Sequence, residues 1–395
     1  MVDLTAQGLK SLVHQWFKPV KQFFEMFSTS KDVYGDLLGV DLDDSSIISI
    51  LLRNPLGVVR VTRAEMIELP SGVMMDDVIT DNAGVATAIR KMLKKAGIDT
   101  ANAAIAMPGS KVVIKQVKLD SQLNEVDAEA RAWQEARKTF PEIAKSLYLD
   151  FSQIEDTVIS RNKKYILVIV AVRKEDIAPR VDALQQAGLT TKIVDVDFYA
   201  LARCYPLFFS QLPVDHAEKY VAMIDFNPHS IVFLVMYKKS MIYSNRQTYT
   251  GDVLVPIVQS ALGLEVMSFK TRPTILPALR ALPMQIPFPA TQPIPDALTD
   301  EQKSHVVMSI RRLFQSFYTE NPGKAINCVL MTGRCALIPE LTQHIEKMLD
   351  IPLVIGNPLK TIKISESLES ERLVKLGPAF ALSCGLAMRG VPVWI

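Results

Sequence analysis

The chain has 395 residues, 49% of them apolar, and its 44 basic and 42 acidic side chains leave a formal charge of +2. That length and apolar content allow roughly two to three domains with sizeable cores, while interspersed, nearly balanced charge offers no polyelectrolyte field for nucleic acid. Cys204, Cys328, Cys335 and Cys384 lack C-x-x-C spacing and the histidines are scattered, which excludes a disulfide framework or a zinc cluster and points to reduced thiols in the cytosol.

Residues 1–36 form a first segment in which Leu9, Leu12, Val13, Trp16, Phe17, Val20, Phe23, Phe24 and Phe27 share one helical face, kinked at Pro19. Lys10, Lys18, Lys21 and Glu25 interrupt it, so neither a signal peptide nor a spanning helix is expected. Docking on a protein surface is the expectation; lying in a membrane interface is the alternative, weakened by few basic residues.

From Leu37 to Arg63 the pattern predicts three short strands, then a helix over Asn82–Lys95 from the spacing of Val85, Ile89, Met92 and Leu93, and a strand at Ala103–Met107. Val112–Thr190 reads as a separate small α+β block, with strands at Val112–Leu119, Ser146–Phe151 and Tyr165–Val172 and helices at Glu125–Lys138 and Lys174–Ala187. The first order then recurs: strands at Tyr220–Asp225, Ser230–Tyr237 and Ser240–Gln247, a helix from Gly251, and a strand at Asn327–Met331. A stretch from Pro273 to Pro295 carries seven prolines and cannot be regular throughout, since each fixes φ and removes a donor; it precedes a helix at Thr299–Tyr318. Leu376–Met388 is apolar but too short to span a bilayer and is punctuated by Gly377, Pro378 and Gly385, so it reads as buried core.

Two stretches carry one pattern: Gly39-Val-Asp-Leu-Asp-Asp-Ser-Ser-Ile47 and Met223-Ile-Asp-Phe-Asn-Pro-His-Ser-Ile231. Each runs into an aspartate, crosses a turn and re-enters a strand, as a hairpin does, which puts Asp41 and Asp225 at equivalent strand ends. Three strands, a helix and a strand, occurring twice, define the expected fold class: α/β, with duplicated ribonuclease-H-like lobes of the actin/FtsA kind and an inserted small α+β subdomain. Residues 37–111, 191–219 and 371–395 are assigned to the first lobe, 112–190 to the insert and 220–370 to the second lobe. In such an architecture hairpin N–H groups take phosphate oxygens and carboxylates hold metal-bound water, making Asp41 and Asp225 the candidate metal residues.

The insert reads Glu135-Ala-Arg-Lys-Thr-Phe-Pro141, Leu149-Asp-Phe151, Val170-Ala-Val-Arg-Lys-Glu-Asp176, Ala187-Gly-Leu189 and Val194-Asp-Val-Asp197, and the end reads Met331-Thr-Gly-Arg-Cys-Ala-Leu-Ile-Pro-Glu-Leu341 and Gly377-Pro-Ala-Phe-Ala-Leu-Ser-Cys-Gly385. Over about Leu37 to Gly390 these resemble the PilM family, the cytoplasmic actin-like component of type IV pilus assembly, and more distantly FtsA. The resemblance implies an adaptor at the inner membrane, cytoplasmic and peripheral, whose groove beside the insert receives the cytoplasmic N-terminal tail of a PilN-like protein. It also implies contact with pilus motor ATPases, homo-oligomers or filaments, membrane association through partners, and no nucleic acid. Alternatives on the same fold are an ATP-dependent sugar or acetate kinase and an FtsA-like membrane-tethered filament.

Residue by residue, the resemblance implies a nucleotide cleft with three altered loops. Asp43 stands where the family carries glycine, and Asp44, Ser45 and Ser46 either serve the phosphate loop or cap an Asx turn. In the second loop Asn227 and Ser230 flank Pro228, which lacks a donor, and His229, read as a solvated turn residue. Gly251 matches the first glycine of a Gly-Gly pair, and Gly333 opens the adenosine motif with Arg334 in place of a second glycine, a cation able to clamp phosphate. With a glycine lost in each loop, ATP and Mg2+ binding is expected to be weak or absent, and hydrolysis absent or very slow.

Overall fold

The computed structural model describes residues 35–54, 57–70, 72–141, 143–156, 164–213, 218–249, 254–261, 298–368 and 370–391. The amphipathic N-terminal face, Gly251 and the proline-studded stretch lie outside them.

Strand β1 (Leu37–Asp43) and strand β2 (Ser46–Arg53) pair antiparallel around a two-residue turn, Asp44-Ser45, closed by the pair Asp43 and Ser46. Both strands are apolar along most of their length and buried on both faces, as central strands are. Next come β3 (Arg60–Glu68), a short hairpin of β4 (Met74–Met75) and β5 (Val78–Ile79), and the helix Asn82–Ala96. That helix starts where Asp81 accepts the N–H of Gly84 and stops at left-handed Gly97. Strand β6 (Asn102–Met107) returns parallel to β1.

The chain then leaves for a three-stranded antiparallel sheet of β7 (Val112–Leu119), β8 (Leu147–Asp156) and β9 (Lys164–Arg173), with β9 central and β7 and β8 at its edges. The helix Glu125–Thr139 lays Ala128, Ala132 and Ala136 on Leu149, Leu167 and Ile169 of one face. The helix Lys174–Gln186 leads back to β10 (Thr190–Val196), parallel to β6, and to the helix Asp197–Cys204.

A second sheet follows: β11 (Tyr220–Asn227), β12 (Ser230–Tyr237), β13 (Ser240–Thr248), β14 (Ile326–Thr332) and β15 (Leu353–Ile355). The helix Asp300–Glu320, entered through a capping box of Thr299 and Gln302, precedes β14. Counted from the first hairpin, both sheets carry one strand order, third-second-first-fourth-fifth, antiparallel in the hairpins and parallel beyond. Strand β16 (Lys363–Ile364) pairs with β3, so the chain re-enters the first sheet before residue 371, where the sequence put the return.

The apolar C-terminal segment is buried, as expected, and its helix Ala381–Ala387 covers β1 and β2. Small residues make this contact possible. A Cβ on Gly39 would lie 2.0 Å from the Ser383 carbonyl oxygen, and on the side facing the helix Asp197–Cys204 one on Gly385 would lie 1.9 Å from the Ala200 carbonyl oxygen.

Candidate functional site

The two hairpins end at one buried cleft. Asp41 lies two residues before the closing pair of its hairpin, and Asp225 two residues before the closing pair Asn227 and Ser230 of the other. Both aspartates line a single cavity with Asp43, Asn227 and Ser230.

The turn residues serve this cleft in different ways. Asp43 accepts the N–H of Ser45 at 3.1 Å and its hydroxyl at 3.0 Å, an Asx turn of the kind weighed for this loop. Asp44 points the other way and accepts the N–H groups of Asp76 and Asp77 at 2.7 and 3.0 Å. Those two residues have φ of 50° and 63°, the left-handed pair that a tight β4–β5 hairpin needs, so Asp44 holds a strained turn in place. Ser46 is buried at the start of β2.

Arg334 is delivered into the cleft by Gly333. At φ 87° this glycine passes so close to β11 that a Cβ would sit 2.4 Å from the Phe226 carbonyl oxygen. The Arg334 guanidinium, with the residue only 3% exposed, donates Nη1 to Ser45 Oγ at 2.9 Å and Nη2 to Asp43 Oδ1. Its backbone N–H and Nε both donate to Asn227 Oδ1, at 3.0 and 3.3 Å. Asn227 in turn donates to Asp225, which also accepts the Thr332 hydroxyl at 2.7 Å. One side chain thus ties the turn of the first sheet to the turn of the second.

A second arginine makes a parallel tie. Arg246 on β13 donates Nη2 to both oxygens of Asp77 at 2.8 Å and Nη1 to Asp197 at 2.7 Å. Asp197 also takes the N–H groups of Gly109 and Phe198, and buried Arg180 donates to the Asp77 carbonyl. No local sequence pattern marks Asp77, Arg180 or Arg246; an isolated arginine in the alternating strand β13 reads as solvent-facing until the first sheet is set against it.

Burial, reinforced by the negative charges of Asp43 and Asp225, pushes Asp41 up to about 8, so its carboxyl is protonated at neutral pH. Burial also raises Asp225, to about 6, against the hydrogen bonds from Thr332 and Asn227. For Asp43 burial acts in the same upward direction, but the Arg334 charge outweighs it and holds the carboxyl below its usual range. Burial likewise works against the charge on Arg246, yet Asp197 and Asp77 prevail and keep it above the ordinary guanidinium value.

The cavity between the hairpins measures about 20 Å³. A site of roughly 10–15 Å³ holds one water, whereas ligand pockets run to roughly 300–1,000 Å³. Among the backbone donors at the turns, the Ser45 N–H is directed onto Asp43 and the Arg334 N–H onto Asn227, and Pro228 has none to offer. Among the described residues no group of three His, Cys, Asp or Glu side chains could hold a metal ion.

Two mixed α/β sheets of one order, with aspartate-bearing hairpins meeting at a buried cleft, have the fold of the actin/Hsp70-like ATPase superfamily. A solved PilM-PilN type IV pilus biogenesis complex matches at 19% identity, over 90% of this chain and 99% of that one, with a TM-score of 0.67. The ethanolamine utilization protein EutJ from Carboxydothermus hydrogenoformans matches at 12% identity, 89% of each chain and a TM-score of 0.44. The cytoplasmic domain of EpsL, an inner membrane component of the Vibrio cholerae type II secretion system, matches at 10% identity, 86% of this chain and 93% of that one, with a TM-score of 0.37. Residues 39–391 match the family described as type IV pilus assembly protein PilM, and the chain belongs to that family.

Proposed function

We propose that the chain is a cytoplasmic actin-like adaptor of a type IV pilus inner-membrane platform, binding the N-terminal tail of a PilN-like membrane protein. Family membership supports the setting. The observation that carries the binding role is a groove of about 270 Å³ beside the three-stranded sheet, lined by Gly109, Ser110, Val112, Ile114, Phe198, Ser244, Asn245 and Arg246. Its walls include β7 and β13, each an edge strand of its own sheet, and Phe198 of the helix Asp197–Cys204. An extended tail can add main-chain hydrogen bonds to such an edge while Val112, Ile114 and Phe198 receive its side chains.

In this reading the protein turns nothing over, binds ATP and Mg2+ weakly or not at all, and sits at the membrane through its partner. Among the described residues no helix is long and apolar enough to cross a membrane. The repeated strand order supports two ribonuclease-H-like lobes derived from one ancestor, with 112–190 as the insert and the return to the first lobe drawn at Lys363. Motor ATPases and further copies of the chain complete the proposed set of partners.

The test is fluorescence anisotropy with synthetic N-terminal tails of the PilN-like partner. The wild-type protein is expected to bind and Ile114→Glu, at a position half-buried against the core, to bind about tenfold or more weakly while still melting cooperatively well above the assay temperature. No binding by the wild-type protein, together with ATP-dependent phosphorylation of a sugar or acetate, would refute the adaptor and favour the kinase.

A further inference from the structure

The cleft between the hairpins has lost its phosphate chemistry and acquired another. A phosphate loop turns N–H donors inward; here the inward groups are acceptors. Asp43 Oδ1, Ser45 Oγ and Asn227 Oδ1 converge on one guanidinium, which with its own backbone N–H supplies four hydrogen bonds to them. The Ser45 N–H, which a phosphate would need, is turned onto Asp43. Around this point stand the carboxyl groups of Asp41, Asp77, Asp197 and Asp225, with Arg246 paired to the carboxylates of Asp77 and Asp197 and Arg180 donating to the Asp77 backbone carbonyl. Fixed acceptor oxygens in this arrangement match the fork of a planar cation.

We propose that the former nucleotide cleft is a guanidinium-binding site whose permanent ligand is Arg334, so that this side chain, and not ATP, holds the two sheets together. The two sheets' turns are joined through it: Asp43 and Ser45 belong to the β1–β2 turn, and Asn227 to the β11–β12 turn. Arg246 adds a second tie on the β13 side, to Asp77 and Asp197. In actin-like proteins a nucleotide would have to bridge the same turns; here closure is written into the chain and does not depend on nucleotide supply. The proposal rests on the reading of the cleft as non-catalytic; Arg246 lines both the cleft and the tail groove, whereas Arg334 and Asp43, the residues varied below, do not line the groove.

Chemical rescue tests it on the full chain. Arg334→Ala leaves Asp43 buried without its cation and is expected to lower the melting temperature by about 5 °C or more. About 10 mM N-methylguanidinium should then raise the melting temperature of the variant by roughly 2 °C, leaving the wild type unchanged or lower, while methylammonium at the same concentration does nothing. Magnesium-ATP should move neither protein.

Should Arg334→Ala fail to fold, Asp43→Asn serves instead: it keeps the shape of the turn, removes the charge facing Arg334, and should melt several degrees lower. Equal response of wild type and Arg334→Ala to methylguanidinium, an Asp43→Asn protein as stable as wild type, or stabilisation of the wild type by magnesium-ATP would each overturn the proposal. The tail-peptide titration on the same proteins reads the groove alone, so failure of the cradle and failure of the adaptor role give different results.

Discussion

Replacing Asp41 by Asn should flatten the dependence of stability on pH. The carboxyl lies in the cavity near Asp43 and Asp225, and burial with those charges lifts it from an ordinary 3.8 to about 8. A folded-state value above the unfolded one means that the native chain holds a proton that the unfolded chain has released. Its contribution to stability is therefore complete below about pH 4 and disappears as pH rises through about 8. Between pH 5 and pH 8 the wild type should lose on the order of 4 kcal/mol from this group, an upper limit because Asp225 titrates in concert with it. Asp225, raised to about 6, adds a smaller loss in the same direction at the lower end of that window. Asp43, held low by Arg334, acts with the opposite sign, and its contribution is lost only as pH falls below the ordinary carboxylate range, outside the window. Asparagine copies the protonated carboxyl, so Asp41→Asn should gain on the wild type steadily as pH rises. Urea unfolding of both proteins at pH 5, 6, 7 and 8 measures this. Parallel stability profiles over that range would show that Asp41 is ionised in the native cleft and that the reasoning from burial fails.

Arg246→Met should destabilise by about 3–5 kcal/mol, because removing the cation leaves Asp77 and Asp197 facing each other in a buried site; a melting temperature within a degree of wild type would contradict it. Gly385→Ala places a methyl 1.9 Å from the Ala200 carbonyl oxygen, backbone that cannot move aside cheaply, and should cost at least about 1–3 kcal/mol by thermal melting. Gly333→Ala meets both a backbone clash at 2.4 Å and a φ of 87°, and should lower the melting temperature further than Gly385→Ala if strain and overlap add.

The sequence by itself determined the architecture. The apolar runs of β1, β2, β11 and β12, the helical spacing over Asn82–Ala96 and the repeated Asp-bearing hairpin are local patterns, and each needs only near neighbours to be read. Short pieces such as β4, β5, β15 and β16 were not legible, since two or three residues carry no periodicity and are fixed by what lies beside them. The residues of the cleft were half legible. Asp41, Asp225, Asn227, Ser230, Gly333 and Arg334 could be named from the hairpin repeat and the altered loops, while the partners Asp77 and Arg246 could not, and Asp197 appeared only within a motif without a role. The reason is range: the contact of Arg334 with Asp43 spans 291 positions and that of Arg246 with Asp77 spans 169, and no local pattern encodes which far carboxylate an arginine will meet. Only the tertiary structure decided that the cation at Arg334 faces oxygens of its own chain, because that outcome depends on Gly333 carrying the backbone over β11 and on two turns arriving at the same point.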